Sequence, residues 1–159
     1  MTTMRRSAEA AILAASVAVP AFLWSAGSPA GGWWHVWPWQ GAMAGSRPQG
    51  AALVVAAGVG LAEAAALGLA VAFLAFAWPA VRRTWPSRPM AVAQYASAAW
   101  MLGNWWIHDN LHYVNGLNMD GLLVIVVGFH LTLVVAAAVL CYGLATGGRP
   151  SGNGQLNAV

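Results

Sequence analysis

Apolar residues fill four long stretches of the chain, and short runs rich in glycine, proline or polar residues separate them. A helix needs about 20 apolar residues to cross the hydrocarbon core of a bilayer, so each stretch predicts one membrane span. Short links between spans are typical of an up-down-up-down helical bundle, so the sequence predicts an all-α integral membrane protein with four spans. The predicted spans cover about residues 10–27, 51–79, 90–112 and 122–144.

The two ends of the chain need separate interpretation. The first span is short and follows Arg5 and Arg6, and residues 28–30 offer a small-residue cleavage site, so one interpretation is a secretory signal peptide. We favour the other interpretation, a retained membrane anchor. Residues 146–159 are glycine-rich and polar and predict a flexible C-terminal tail, which leaves residues 1–145 as a single membrane domain.

Composition and charge agree with a membrane protein and predict its orientation. Hydrophobic residues make up 60% of the chain and charged residues only 7%, unlike an ordinary soluble domain. The arginines flank the apolar stretches instead of forming a patch, which argues against nucleic acid as a partner. All of them except Arg47 lie on one side if the amino terminus is cytoplasmic. The positive-inside rule therefore predicts a multi-pass protein of the cell membrane with both termini in the cytoplasm.

Small residues recur at every fourth position of the second span. Such a stripe lets another helix approach closely. It predicts contact with a membrane protein partner or with a second copy of the chain, in addition to the lipid bilayer. The stripe consists of Ala52, Ala56, Gly60, Ala64, Gly68 and Ala72.

The polar residues of the third span concentrate at its end, between Asn104 and His112. His108 and His112 are four residues apart, so a helix places them on one face about a turn apart, and Asn104 extends the same face by another turn. Asp109 precedes His112 by three residues and is expected to share a site with His112 more easily than with its neighbour His108. This stretch is the predicted centre of function.

Glu63 and His130 are the other ionisable residues at membrane depth. Glu63 lies thirteen residues after Gly50, which places it about 20 Å along its helix and near the bilayer centre. The third and fourth spans fold back about Leu117, so His130 is expected level with Asn104. Ionisable side chains at such depth are costly and usually functional, and Glu63 is the candidate catalytic residue.

Three chemistries could use these residues. Imidazole and carboxylate groups are ligands for copper, iron or zinc, and haem could be held between His130 and a histidine of the third span. Glu63 and the histidines could also form a proton or ion relay. The predicted metal ligands are His108, Asp109, His112 and His130.

Asn104 and His35 are the candidate residues for contact with a cofactor. His35 lies in a loop with tryptophan residues from Trp33 to Trp39, interrupted by proline. We interpret this loop mainly as an aromatic belt at the headgroup layer, since tryptophan is enriched there. The alternative is an aromatic lid over the site, with His35 as a further ligand. The single cysteine, Cys141, excludes a multi-cysteine metal site.

Polar residues at a helix end can also serve structure alone. Asp120 could cap the fourth helix and Asn118 could stabilise the turn before it. Because several ionisable residues share one membrane region, we favour a metal or haem site for redox or lipophilic small-molecule chemistry, as in an oxidoreductase. The alternatives are a non-catalytic accessory subunit of a larger membrane complex and the proton or ion relay.

The arginine distribution predicts where reporters should appear. A reporter fused after Gly147 should lie in the cytoplasm, and one inserted near Gly116 should lie on the opposite side. Enzyme-reporter activity or cysteine accessibility in intact cells measures this directly. Both reporters on one side would contradict a four-span topology.

Overall fold

The computed structural model describes residues 3–25, 28, 50–85, 87–115 and 118–147, and these ranges contain helices and no strand. The prediction of an all-helical chain is therefore confirmed for them. The helices are α1 (Thr3–Trp24), α2 (Ala51–Phe76), α3 (Trp78–Thr84), α4 (Arg88–Asn115) and α5 (Met119–Gly147).

Local sequence explains where several of the helices begin. Pro79 occupies the first turn of α3 and Pro89 the first turn of α4, where proline needs no amide partner. At the turn between α4 and α5, the Asn118 side chain accepts a hydrogen bond from the Gly121 amide at 3.2 Å, and the Asn115 side chain donates to the Asn118 carbonyl at 2.8 Å. Asn118 is thus the cap of α5. The expectation that Asp120 has this role was wrong, because α5 begins at Met119, one residue earlier.

Three of the described helices are long and apolar enough to cross a membrane, and α4 is not among them. The three candidate spans cover Met4–Trp24, Ala51–Phe76 and Met119–Thr146. The predicted set of four spans is therefore supported for three helices. The reason is visible in α4 itself, which carries more polar side chains than any other helix.

The long helices pack in the order in which they occur along the chain. Extensive contacts join α1 to α2, α2 to α4, and α4 to α5. In a closed four-helix bundle α1 would also lie along α5, but no extensive contact of this kind joins the described parts of the two helices. The arrangement is an open row, with α2 and α4 at its centre.

Polar side chains of α4 donate hydrogen bonds to each of the other long helices. Indole, phenol and amide donors reach acceptors across the helix interfaces, where an unpaired donor would be costly. These bonds explain why α4 can be the least apolar long helix and still lie at the centre of the row. The bonds run from Trp106 to the Ala21 carbonyl of α1 (3.0 Å), from Tyr95 to the Leu74 carbonyl of α2, and from Gln94 to the Val139 carbonyl (2.5 Å) and Trp100 to the Thr132 hydroxyl (3.1 Å) of α5.

Helix α1 approaches α2 most closely at Gly68. A Cβ atom at this position would overlap the Ala14 carbonyl oxygen and lie 3.1 Å from the Ala18 Cβ, so only glycine fits without movement of α1. The inner part of the small-residue stripe, which includes Ala64 and Gly68, is buried, while Ala52 is exposed. At Gly68 the stripe meets another helix of the same chain, and contact with a partner protein stays a prediction.

The close approach at Gly68 predicts a stability difference between two glycines of α2. Gly68→Ala should destabilise the fold by about 1–3 kcal/mol, because the added methyl group meets a backbone atom. Gly58→Ala is the matched control, since nothing lies within 4 Å of its Cβ position, and it should be neutral or stabilising by up to about 1 kcal/mol. Thermal unfolding in detergent micelles measures both, and equal effects would contradict the α1–α2 packing.

Candidate functional site

The carboxyl groups of Glu63 in α2 and Asp109 in α4 lie close together. Their carboxyl groups face each other across the α2–α4 interface and are close enough to interact. Glu63 is partly buried, whereas the Asp109 side chain is 49% exposed. Two ionised carboxylates this close would repel each other, so a proton shared between the two groups would stabilise the pair.

His108 extends this contact along α4. Its Nδ1 lies 2.9 Å from the Asp109 Oδ1, and its Nε2 lies 3.0 Å from the Nε2 of His112. A neutral His108 that donates from Nδ1 to the carboxylate accepts at Nε2 from His112. Two hydrogen bonds thus join Asp109, His108 and His112, and the Glu63 carboxyl adjoins Asp109. These four side chains are called the carboxyl–histidine chain below.

The partner of Asp109 differs from the prediction. We expected Asp109 to act with His112, because adjacent residues point about 100° apart on a helix. In the structure the imidazole of His108 and the carboxylate of Asp109 bend toward each other, and Asp109 faces Glu63 at the same time. Backbone spacing alone does not determine where such flexible side chains end.

His130 approaches the chain from α5. Its ring centroid is 5.2 Å from that of His108, with the rings nearly perpendicular. Its Nδ1 lies 2.7 Å from the Val126 carbonyl oxygen, which can only accept, so Nδ1 carries the proton and Nε2 keeps its lone pair. His130 itself is exposed.

The predicted pairing of α4 with α5 explains why His130 reaches His108. Trp100 contacts Thr132 and Gln94 contacts Val139, and each pair is nearly equidistant from position 117. The antiparallel arrangement about this turn is therefore confirmed. A phenyl ring that the sequence did not single out, Phe129, stacks on Trp100 at 5.5 Å and meets His108 at 5.3 Å, filling the space between the two helices.

The predicted metal centre gains no support from this geometry. Among the described residues, no group of three or more histidine, cysteine, aspartate or glutamate side chains is arranged to hold a metal ion. The four predicted ligands are neighbours, but both ring nitrogens of His108 are already engaged as hydrogen-bond partners. The histidines and carboxyls come together as donors and acceptors to one another.

Of the two predicted cofactor contacts, only Asn104 lies in the described part of the chain. Asn104 is fully buried, and its Nδ2 donates to the Trp100 carbonyl at 2.5 Å. Its Oδ1 is buried without a hydrogen-bond partner. His35, and with it the tryptophan-rich loop, lies outside the described residues. A role in cofactor binding stays a prediction for both.

Sequence reasoning missed the polar residues that hold the site in place. Gln94 and Asn110 are buried, and Trp106 bonds to α1 from the side of α4 opposite the histidines. The available signal was the repeated occurrence of hydrogen-bond donors along an otherwise apolar helix. In a membrane such donors need acceptors on neighbouring helices.

The unpaired oxygen of Asn104 generates a stability prediction. Asn104→Leu should cost less than about 1 kcal/mol, because it removes a buried unpaired acceptor along with one hydrogen bond. Asn110→Leu is the comparison: Asn110 donates to the Trp106 carbonyl at 2.7 Å and makes further interactions, so its loss should cost about 1–3 kcal/mol. Unfolding in detergent measures both. A larger cost at Asn104 would show that a water or bound molecule satisfies its oxygen.

Comparison with known proteins adds no family to this picture. The chain matches no protein family model, no curated protein and no solved structure. Function is therefore argued from the side chains themselves, and the carboxyl–histidine chain is the arrangement on which that argument rests.

Proposed function

We propose that this chain is a membrane protein that moves protons along the carboxyl–histidine chain. The observation that carries the proposal is the unbroken series of contacts from Glu63 through Asp109 and His108 to His112. Each member can bind and release a proton, and each touches the next. Proton transfer needs this kind of contact, because the proton moves only between groups within hydrogen-bond reach.

The apolar surface of the helices supports a membrane location. Large apolar side chains are exposed along α5, among them Val124, Val127, Leu131 and Val134, and along α2, among them Val54 and Val55. A water-soluble monomer rarely exposes so large an apolar surface. Lipid chains would cover it, while the polar side chains of α4 bond to neighbouring helices.

The placement of the chain gives the relay a direction. Glu63 lies near the middle of α2, whereas His112 lies close to the α4–α5 turn, at one end of the helices. The relay would thus join the middle of the bilayer to one surface. By the arginine distribution this is the extracytoplasmic surface.

The chemistry of each member fits the direction. A proton passes from one carboxyl to the other within the Glu63–Asp109 contact. His112 gives the proton on its Nε2 to Nε2 of His108 while its Nδ1 takes a proton from solvent, and His108 releases the proton on its own Nδ1 to Asp109, because an imidazole can accept at one nitrogen and donate from the other. The step leaves no net charge on His108, and a turn of the ring restores its starting tautomer.

A metal or haem centre is the second candidate. The observation in its favour is His130, whose Nδ1–H donates to a carbonyl and leaves Nε2 as a ligating nitrogen near His108. Copper, iron, zinc or haem would then bind through His130 and through His108, which would exchange its hydrogen bond to His112 for the metal. Asn104 and His35 stay candidate contacts of such a cofactor. Metal analysis and the visible spectrum of the purified protein distinguish this candidate from the relay.

The relay predicts loss of proton flux in two variants. Glu63→Gln and Asp109→Asn should each lower proton uptake by proteoliposomes roughly a hundredfold, the low end of what a positioned proton donor or acceptor contributes. Uptake is measured with an internal pH-sensitive dye while a potassium gradient and valinomycin set the membrane potential.

Asp120→Asn is the matched control, since Asp120 is an exposed carboxyl in the first turn of α5 and lies outside the carboxyl–histidine chain. It should leave flux unchanged. Wild-type flux in folded Glu63→Gln and Asp109→Asn protein would refute the relay. Flux lost equally in all three variants would refute it as well, because the loss would then not depend on the chain.

A further inference from the structure

The helix ends that lie farthest from the carboxyl–histidine chain are basic. Ala10 of α1 lines the same apolar groove as Phe76 and Ala77, so the start of α1 reaches the junction between α2 and α3. Tyr95 meets the last turn of α2 through Leu74, which brings the start of α4 to the same end. Five arginines gather there: Arg5, Arg6, Arg82, Arg83 and Arg88.

Few acidic groups oppose these arginines. Of the four acidic residues in the chain, only Glu9 lies at this end, and it pairs with Arg5 at 3.0 Å. Arg82 packs over the Trp78 ring at 6.0 Å and donates to the Trp85 carbonyl at 3.1 Å. The remaining three, Arg6, Arg83 and Arg88, are exposed. The basic end therefore carries a local excess of positive charge.

An apolar groove leads away from this basic end. It lies between α1, α2 and α4, has a volume of about 420 Å³, and is lined by Ala10, by α2 side chains between Leu69 and Ala77, and by Leu102. Eight residues separate Leu69 from Ala77, so the groove runs about 12 Å along α2. Its apolar lining offers almost nothing for a polar molecule to bind.

We propose that this groove and the basic end together bind one anionic phospholipid. An acyl chain lies in the groove, and the headgroup phosphate lies among the exposed arginines at the mouth. The inference depends on the membrane location proposed above but not on proton movement, because none of these residues belongs to the carboxyl–histidine chain.

Charge and shape select this occupant over others. Guanidinium groups bind phosphate oxygens through charge-assisted hydrogen bonds, and a surplus of them favours a headgroup with net negative charge. The indole of Trp78 lies next to Arg82, as expected of an aromatic residue at the headgroup layer. A groove without polar lining suits a hydrocarbon chain, whereas a peptide would need partners for its backbone groups.

The test is lipid retention by the full-length protein. Protein purified in detergent is mixed with equal amounts of phosphatidylglycerol and phosphatidylcholine, and bound lipids are counted by native mass spectrometry. We expect one tightly retained phosphatidylglycerol and a clear preference for it over phosphatidylcholine. Arg6→Gln with Arg83→Gln should reduce that preference by about fivefold for each arginine replaced. The charge-conserving pair Arg6→Lys and Arg83→Lys should keep most of it.

The groove is tested separately. Ala10→Leu adds bulk to its lining and should lower retention of the lipid, whereas Ala11→Leu, at the neighbouring exposed position of α1, should not. Equal retention of the two lipids, or an unchanged preference in the glutamine pair, would overturn the headgroup assignment. Equal retention by Ala10→Leu and Ala11→Leu would overturn the groove as the acyl-chain site. Since lipid is counted and no flux is measured, failure here leaves the relay unaffected.

Discussion

The structure depends on how the polar side chains of α4 are satisfied. A helix with amide, indole and phenol donors can lie among apolar helices only if each donor reaches an acceptor, since an unpaired donor in hydrocarbon costs several kcal/mol, of the order of 2–7. Gln94, Trp100 and Trp106 each find theirs on a neighbouring helix. This requirement sets α4 at the centre of the row and orders the other helices around it. The apolar helices supply hydrogen-bond acceptors and apolar packing surface, and α4 supplies the hydrogen-bond donors.

The same requirement explains why the ionisable residues meet. Glu63 and Asp109 face each other because α2 and α4 pack directly, and His130 meets His108 because α4 and α5 pair about one turn. At one end of the helices the result is a series of proton-binding groups, and at the other end it is a surplus of arginine. The two ends of the helices thus carry different groups: proton-binding side chains at one end and arginines, which are suited to phosphate, at the other.

Much of this could be predicted from the sequence, and the rest could not for physical reasons. Apolar stretches and their links predict the helices, and the short turn near Asn118 predicts that His130 and the end of α4 approach each other. The rotation of α2 about its axis depends on side-chain packing, so the Glu63–Asp109 contact was not predicted. The central position of α4 was not predicted either. Its low hydropathy gives no sign of this position, because hydropathy does not measure hydrogen bonds between helices.

The bond from Gln94 to Val139 lies far from the histidines and still bears on them. Gln94 packs directly against Gly143, where even a Cβ atom would overlap its amide group, so the spacing of α4 and α5 is fixed there. Fourteen residues, or about 21 Å of helix, separate Gln94 from His108. A long helix is stiff, so an anchor near one end limits how the backbone at the other end can rotate about the helix axis. The direction in which α4 presents its imidazole rings is therefore determined partly near its other end, where Gln94 meets α5.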